Sequence, residues 1–174
     1  MDPIIVPGTI AAYGGTQDSL VNLEGLGWIV CDGRLYDRTD EKYKRLFGSI
    51  GTSWGGDGGN KFAVPDLRGQ FLRGISDTTG TDPDAASRQT PRPDLNNSGN
   101  KGNAVGSRQP DELRSHSHAV NPDHPYMDNY APGHTNGTEG GDDVNYTPRS
   151  ISIGNTGGHE TRPVNAYVYY IIKL

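Results

Sequence analysis

The chain has 174 residues, a formal net charge of −5, 25 glycines, 12 prolines and only 32% hydrophobic residues. A chain of single-domain length with so few hydrophobic residues cannot bury a large core alone, so either long loops or further copies of the chain must compensate. The acidic balance argues against a nucleic-acid partner, which requires a basic face, and no apolar run reaches the length of a membrane helix.

The first predicted strand is GTIAAYG, residues 8–14, and the second is WIVCDG, residues 28–33, closed by the turn at Asp32 and Gly33. A single cysteine, Cys31, excludes an internal disulfide framework, and we expect it to be a small buried hydrophobic side chain. The N-terminal stretch MDPIIVPGTIAAYGG has neither a basic leader nor a signal-peptide apolar run. This predicts synthesis in the cytoplasm without an ordinary secretion signal.

One amphipathic helix is predicted within DRTDEKYKRLFGSIG, residues 37–51. Asp37 or Thr39 is expected to cap its N-terminus, and Gly51 suits a left-handed exit at its other end. Four apolar residues recur at the i, i+3, i+4 and i+7 spacing of one helix face: Tyr43, Leu46, Phe47 and Ile50. This stripe is the main candidate for a small core.

Three further strand-like stretches follow the helix. KFAVPDL, residues 61–67, reads as a strand up to its proline, and GQFLRGI, residues 69–75, resumes the strand pattern. The final stretch, RPVNAYVYYIIKL over residues 162–174, is largely apolar at both alternating sets of positions. We therefore expect this last strand to be covered on both faces.

Between residues 77 and 114 the chain contains almost no large apolar residue and shows no convincing period. Such a composition is typical of disorder in an isolated chain. The competing interpretation is an extended arm that neighbouring subunits order.

No catalytic constellation is visible. Asp32, Asp57, Asp66 and Asp77 could in principle form a carboxylate pair, but the first three lie beside glycine or proline, where aspartate is normally a turn residue. The sequence has no serine elbow, no phosphate-binding glycine loop and no HExxH motif, so we expect no enzymatic activity. The GGDGG loop lacks the alternating carboxylates of a calcium site.

Two histidines lie one residue apart in SHSHAV, residues 115–120. In an extended segment His116 and His118 point to the same side, where they could bind a metal, lie in solvent or join a symmetric interface. Three copies around an axis would bring six imidazoles together, which suits octahedral coordination of a transition metal. Six ligands favour iron, nickel or cobalt at least as much as zinc.

Four segments together resemble the phage tail collar domain, in the order in which that family has them. They are PGTIAAYGG, the long stretch GWIVCDGRLYDRTDEKYKRLFGSIGTSWGGDGGNKFAVPDLRGQFLRG, SHSHAV, and GGHETRPVNAYVYYIIKL. The resemblance implies an α+β fold: a small collar domain with short strands and one helix over residues 1–76, then an extended polar arm over 77–114. An interwoven, loop-rich β region with the HxH motif and the last strand would follow over 115–174, completed by trimerisation.

The resemblance also implies a site and a role. His116 and His118 of three chains would hold one structural transition-metal ion per trimer, with iron or zinc the leading candidates. The protein would be a structural tail-fibre or tail-tip component of a phage or phage-like contractile particle, located at its tail tip or baseplate. Its partners would be two further copies, a baseplate or fibre subunit, and a cell-surface glycan or protein.

Three tyrosines of the distal loop, Tyr126, Tyr130 and Tyr146, lie among Asp, Asn and Gly residues. Aromatic faces beside such hydrogen-bonding groups suit carbohydrate, although loop tyrosines equally often pack at a trimer seam. The alternative function is a baseplate-bound structural adaptor or plug that binds no receptor.

Overall fold

The computed structural model describes residues 5–76, 80–113, 115 and 162–174. Five strands and one α-helix are formed: β1 Ile10–Tyr13, β2 Trp28–Val30, β3 Leu35–Asp37, α1 Glu41–Ile50, β4 Lys61–Ala63 and β5 Tyr169–Lys173. Short 3-10 helices occur at Gln17–Asn22, Glu24–Leu26 and Ala85–Ser87. Among the described residues, none of the helices has the length and apolar character that a bilayer crossing needs.

The C-terminal strand lies at the centre of a three-stranded antiparallel sheet, in the order β1-β5-β2. Ile172 pairs with Ile10 of β1 on one side and with Ile29 of β2 on the other. Ile172 is fully buried and its neighbour Ile171, which points to the opposite face, is also buried. The prediction that this strand is covered on both faces is therefore confirmed for Tyr169–Lys173, because a central strand needs apolar groups on each side. It is wrong for residues 162–168, which precede the strand and are exposed.

Helix α1 packs its apolar stripe on this sheet and on a two-stranded ribbon of β3 and β4. Leu46 and Phe62 are fully buried, and the rings of Phe47 and Phe62 lie 5.3 Å apart. All four residues predicted for the stripe belong to the core or pack against it. The helical periodicity thus located the core correctly.

The N-cap is neither of the two predicted residues but Asp40, one position after Thr39 and three after Asp37. Asp40, in extended conformation, caps α1 by accepting a hydrogen bond from the Lys42 amide at 2.9 Å. Asp37 is engaged earlier, because its Oδ1 accepts from the amide and hydroxyl of Thr39 at 2.8 and 2.7 Å. At the exit Gly51 takes a positive φ of 53°, which favours glycine, but its ψ of −133° lies outside the left-handed helical region that was predicted.

The strand predicted over residues 69–75 does not form. The chain turns after β4, where the amide of Gln70 donates to the carbonyl of Leu67 at 3.2 Å. Beyond that turn, the backbone of residues 71–75 makes no hydrogen bond to another described residue. A strand-like sequence without a neighbouring strand remains irregular, because the ladder supplies its stability.

Residues 80–110, which we call the arm, fold back on the same chain. The amide and carbonyl of Gly56 exchange hydrogen bonds with those of Asn97 at 2.8 and 3.1 Å, and Gln89 and Arg108 form a second such pair at 2.8 Å each way. This course differs from the disordered or fully extended one that composition suggested. Polar backbone and side-chain contacts order this part without a large apolar core.

The contacts divide the chain into one unit of Met1–Pro110 with Val164–Leu174 and a second unit of Asp111–Pro163. In the first unit the described residues are 5–76, 80–110 and 164–174; in the second they are 111–113, 115, 162 and 163. The sequence-based division at residues 76 and 114 differs from this grouping and stays a prediction about the assembled protein.

Candidate functional site

The five residues predicted to bind metal or receptor lie outside the described residues. They are His116, His118, Tyr126, Tyr130 and Tyr146. Their roles stay predictions. The candidate site described below lies in the first unit.

One concave feature of that unit is a cleft of about 520 Å³ between residues 66–75 and the arm. We call it the collar–arm cleft. One wall carries Phe71, Leu72, Arg73 and Ile75, and the other carries Arg88, Arg92, Val105 and Arg108.

An arginine–aspartate pair shapes the first wall. Arg68 donates from Nε and Nη2 to the two carboxylate oxygens of Asp66 at 2.8 and 2.7 Å. This two-bond contact lowers the pKa of Asp66 against the opposing effect of its partial burial. Next to it, buried Leu67 donates its amide to the carbonyl of Cys31 at 3.1 Å, so the wall begins from a fixed point on the core.

A second arginine attaches the arm to the collar. Arg92 Nη1 donates to the carbonyl of Gly33 at 2.6 Å, while its Nε and Nη2 bind Asp94 at 2.9 and 2.8 Å. Gly33 has a φ of 78°, and a Cβ there would lie 3.0 Å from both Arg92 Nη1 and the Asp66 Cβ. Glycine is thus required for its backbone conformation and for the close approach of Arg92.

A buried ion pair within the arm lies close to the first wall. Arg88 Nη2 lies 2.5 Å from Asp82 Oδ2, and the two side chains are only 7% and 2% exposed. Arg73, from the opposite wall, approaches the same carboxylate to 3.7 Å. Burial alone raises the pKa of Asp82, but the hydrogen bond from Arg88, the Asp84 amide and the two cationic charges outweigh it and lower the pKa.

The sequence does not predict the contacts of these arginines, because the composition of the arm is typical of a polar, irregular segment. The available signal was the spacing R-P-D at residues 92–94, which places opposite charges two residues apart around a proline turn. The partner carbonyl at Gly33 is 59 residues away, and no local pattern predicts such a contact.

Large apolar side chains are exposed on both walls of the cleft. The exposed fractions are 64% for Phe71, 49% for Leu72, 44% for Ile75 and 55% for Val105. Apolar groups gathered at a rimmed concavity mark interaction surfaces, because covering them removes apolar area from water. The cleft therefore has the character of a protein-contact surface.

The described carboxylates that sequence analysis weighed for catalysis serve as turn residues, as predicted. Asp32 binds Arg34, Asp66 binds Arg68, and Asp57 accepts from the amides of Gly59 and Lys61.

Burial, followed by the charges of Asp32 and Asp66, raises the pKa of the Cys31 thiol to about 12. Cys31 is the small buried residue that the sequence predicted. Within the described part of the chain, no three His, Cys, Asp or Glu residues are grouped as metal ligands.

A collar of short strands on one helix, with an exposed interaction cleft, defines a structural module. The chain belongs to the phage tail collar domain family, whose family model matches residues 8–72, from the residues before β1 into the first wall of the cleft. The chain is similar to protein RhiB of Rhizobium leguminosarum bv. viciae, with 36% identity over 175 residues that cover 94% of this chain and 71% of RhiB. The collar family is structural rather than catalytic, and membership indicates a tail-fibre-type component of a phage tail.

Proposed function

We propose that the protein is a homotrimeric tail-fibre or tail-tip protein of a phage or phage-like contractile particle, and that it attaches the particle to a cell surface. Family membership supports the structural role. The observation that carries the proposal is the exposure of four large apolar side chains around the collar–arm cleft of a chain with so few hydrophobic residues. Such a chain gains most from covering them with further copies of itself.

A metal ion on the trimer axis is part of the proposal. His116 and His118 supply two imidazoles per chain, and three chains supply six, a donor set that fits an octahedral transition-metal site. When bound, the ion would supply assembly energy and no reaction, because ligands from three chains must come together to hold it.

The proposed receptor contact lies in the distal loop. Tyr126, Tyr130 and Tyr146 would stack on sugar rings of a surface glycan, and neighbouring Asp and Asn side chains would bind hydroxyl groups. The baseplate or fibre subunit of the particle would hold the protein at its other end.

Fluorescently labelled full-length protein tests the attachment. We expect it to bind host cells as a trimer, and the variant Tyr126→Ala/Tyr130→Ala/Tyr146→Ala to stay trimeric in native mass spectrometry while losing cell binding. A trimer that binds no plausible host would favour the alternative of a baseplate-bound adaptor or plug. Unchanged binding by the triple variant would contradict the assignment of the tyrosines.

A further inference from the structure

We infer that the collar–arm cleft receives a second copy of this chain, and that residues 70–75, which we call the seam, form the contact. The inference rests on the proposed homotrimer and specifies which surface of the first unit joins the copies.

The backbone of the seam is available for pairing. Its sequence, QFLRGI, has the apolar and branched composition of a strand, yet residues 71–75 make no backbone hydrogen bond to another described residue. Exposed extended segments with unused amides and carbonyls are templates for a strand from another chain. A second copy would supply the ladder that the seam lacks.

The side chains of the seam also favour contact with a second copy. Phe71, Leu72 and Ile75 are each at least 44% exposed, and Val105 faces them from the arm with 55% exposed. Removing the apolar surface of such side chains from water is favourable by roughly 25 cal/mol per Å². Covering them stabilises an assembly without any change inside the collar core.

Charge favours a second copy as the occupant. Five arginines and one carboxylate line the cleft, so the rest of the chain has 20 acidic and 11 basic residues out of totals of 21 and 16. Three of the arginines have carboxylate partners, but Arg73 stands 3.7 Å from a shared one, and Arg108 has no ion pair among the described residues. Asp82 and Asp94 also pair with cleft arginines, which leaves 18 acidic and 11 basic residues elsewhere in the chain. A second copy therefore offers more acidic than basic groups to a cleft with positive charge to spare.

The cleft is held open before any partner arrives. Arg92 ties the arm to the carbonyl of Gly33, and Arg73 of the first wall lies 3.7 Å from the carboxylate of Asp82 in the arm. Preformed walls reduce the ordering cost of association. In the proposed trimer the cleft of one copy receives a different surface of the next copy, so the contact is heterologous, and heterologous contacts that close produce rings.

Thiol labelling of the full-length protein tests the seam. Cys31 is 1% exposed with a pKa raised to about 12, so it leaves an introduced cysteine as the reactive thiol. The test variant is Leu72→Cys, and the matched control is Val21→Cys, an exposed apolar position on the first 3-10 helix. In the assembled protein we expect position 72 to react with a maleimide at least about tenfold more slowly than position 21, and both to react equally after denaturation.

Native mass spectrometry of the same samples gives the oligomeric state, so failure of the proposed trimer can be told apart from failure of the proposed contact at the seam. A trimer in which both positions react at the same rate would overturn the seam and leave the trimer standing. A monomer would overturn the proposed trimer and the seam with it.

A photo-crosslinker decides which chain covers the cleft. We expect Phe71→p-benzoylphenylalanine to yield covalent products between tagged and untagged copies on irradiation, whereas Val21→p-benzoylphenylalanine yields none. Products confined to a single chain would overturn the inference, because they would mean that the chain covers its own cleft.

Discussion

Arg92 in the arm and Gly33 in the collar meet through one hydrogen bond, from the guanidinium Nη1 to the carbonyl oxygen at 2.6 Å. The contact is possible because Gly33 has no side chain and adopts a φ of 78°. Arg92 is thereby held against the collar while it also binds Asp94 in its own turn. This junction decides whether the arm stays folded on the collar.

Gly33→Ala is therefore expected to destabilise the first unit. The added methyl must adopt a strained backbone conformation and approach Arg92 and Asp66 to 3.0 Å, which together should lower the free energy of unfolding by about 1–3 kcal/mol. Chemical denaturation followed by circular dichroism measures this change.

Gly48→Ala provides the control within the same unit. Gly48 lies inside α1 and has no neighbouring atom within 4 Å of the position of a Cβ. The substitution should stabilise the protein by roughly 0.5–1 kcal/mol through helix propensity. Equal effects of the two glycine substitutions would contradict the close contact at Gly33.

Ile172→Ala tests whether the last strand completes the collar. Ile172 is fully buried between β1 and β2, so removing most of its side chain should cost about 2–5 kcal/mol of unfolding free energy. Val164→Ala, eight residues earlier and fully exposed, should change it by less than about 0.5 kcal/mol. Thermal unfolding of both variants distinguishes a central strand from a peripheral tail.

Acid should weaken the buried ion pair between Asp82 and Arg88 within the arm. Because the folded-state pKa of Asp82 is lowered from 3.8, its ionised form favours the folded state above that value. The stabilisation is complete above about pH 5 and is lost as the pH falls through the lower folded-state pKa.

Asp82→Asn removes this titration and should flatten the fall in stability between about pH 5 and pH 2, although the variant is less stable at neutral pH. Unfolding free energies measured across that range test the prediction. An unaltered profile for Asp82→Asn would mean that the pair does not couple to folding.

The metal proposal predicts a stoichiometry. Elemental analysis of purified trimer should find about one transition-metal ion per three chains, and His116→Ala/His118→Ala should lose both the ion and thermal stability. His159→Ala is the control, since that histidine has no place in the HxH motif. A metal-free trimer of full stability would end this part of the proposal.

Local patterns in the sequence were sufficient for the helix of the collar and for the burial of Tyr169–Lys173. The 3.6-residue spacing of Tyr43, Leu46, Phe47 and Ile50 identified the helix and its buried face, because a helix that must cover a sheet needs one apolar stripe. The apolar character of both faces of the last strand likewise predicted its burial. The ordered motifs from PGTIAAYGG to PDLRG identified the family that the comparisons confirm.

Tertiary structure decided the rest. Sequence could not show that β5 inserts between β1 and β2, because strand order depends on which chain segments meet and not on the composition of any one of them. It also could not show that Arg92 would bind the carbonyl of Gly33, since a contact between residues 59 positions apart leaves no periodic trace. The seam illustrates the same limit: its residues favour a strand, and without a neighbouring strand among the described residues that preference stays unsatisfied within the chain.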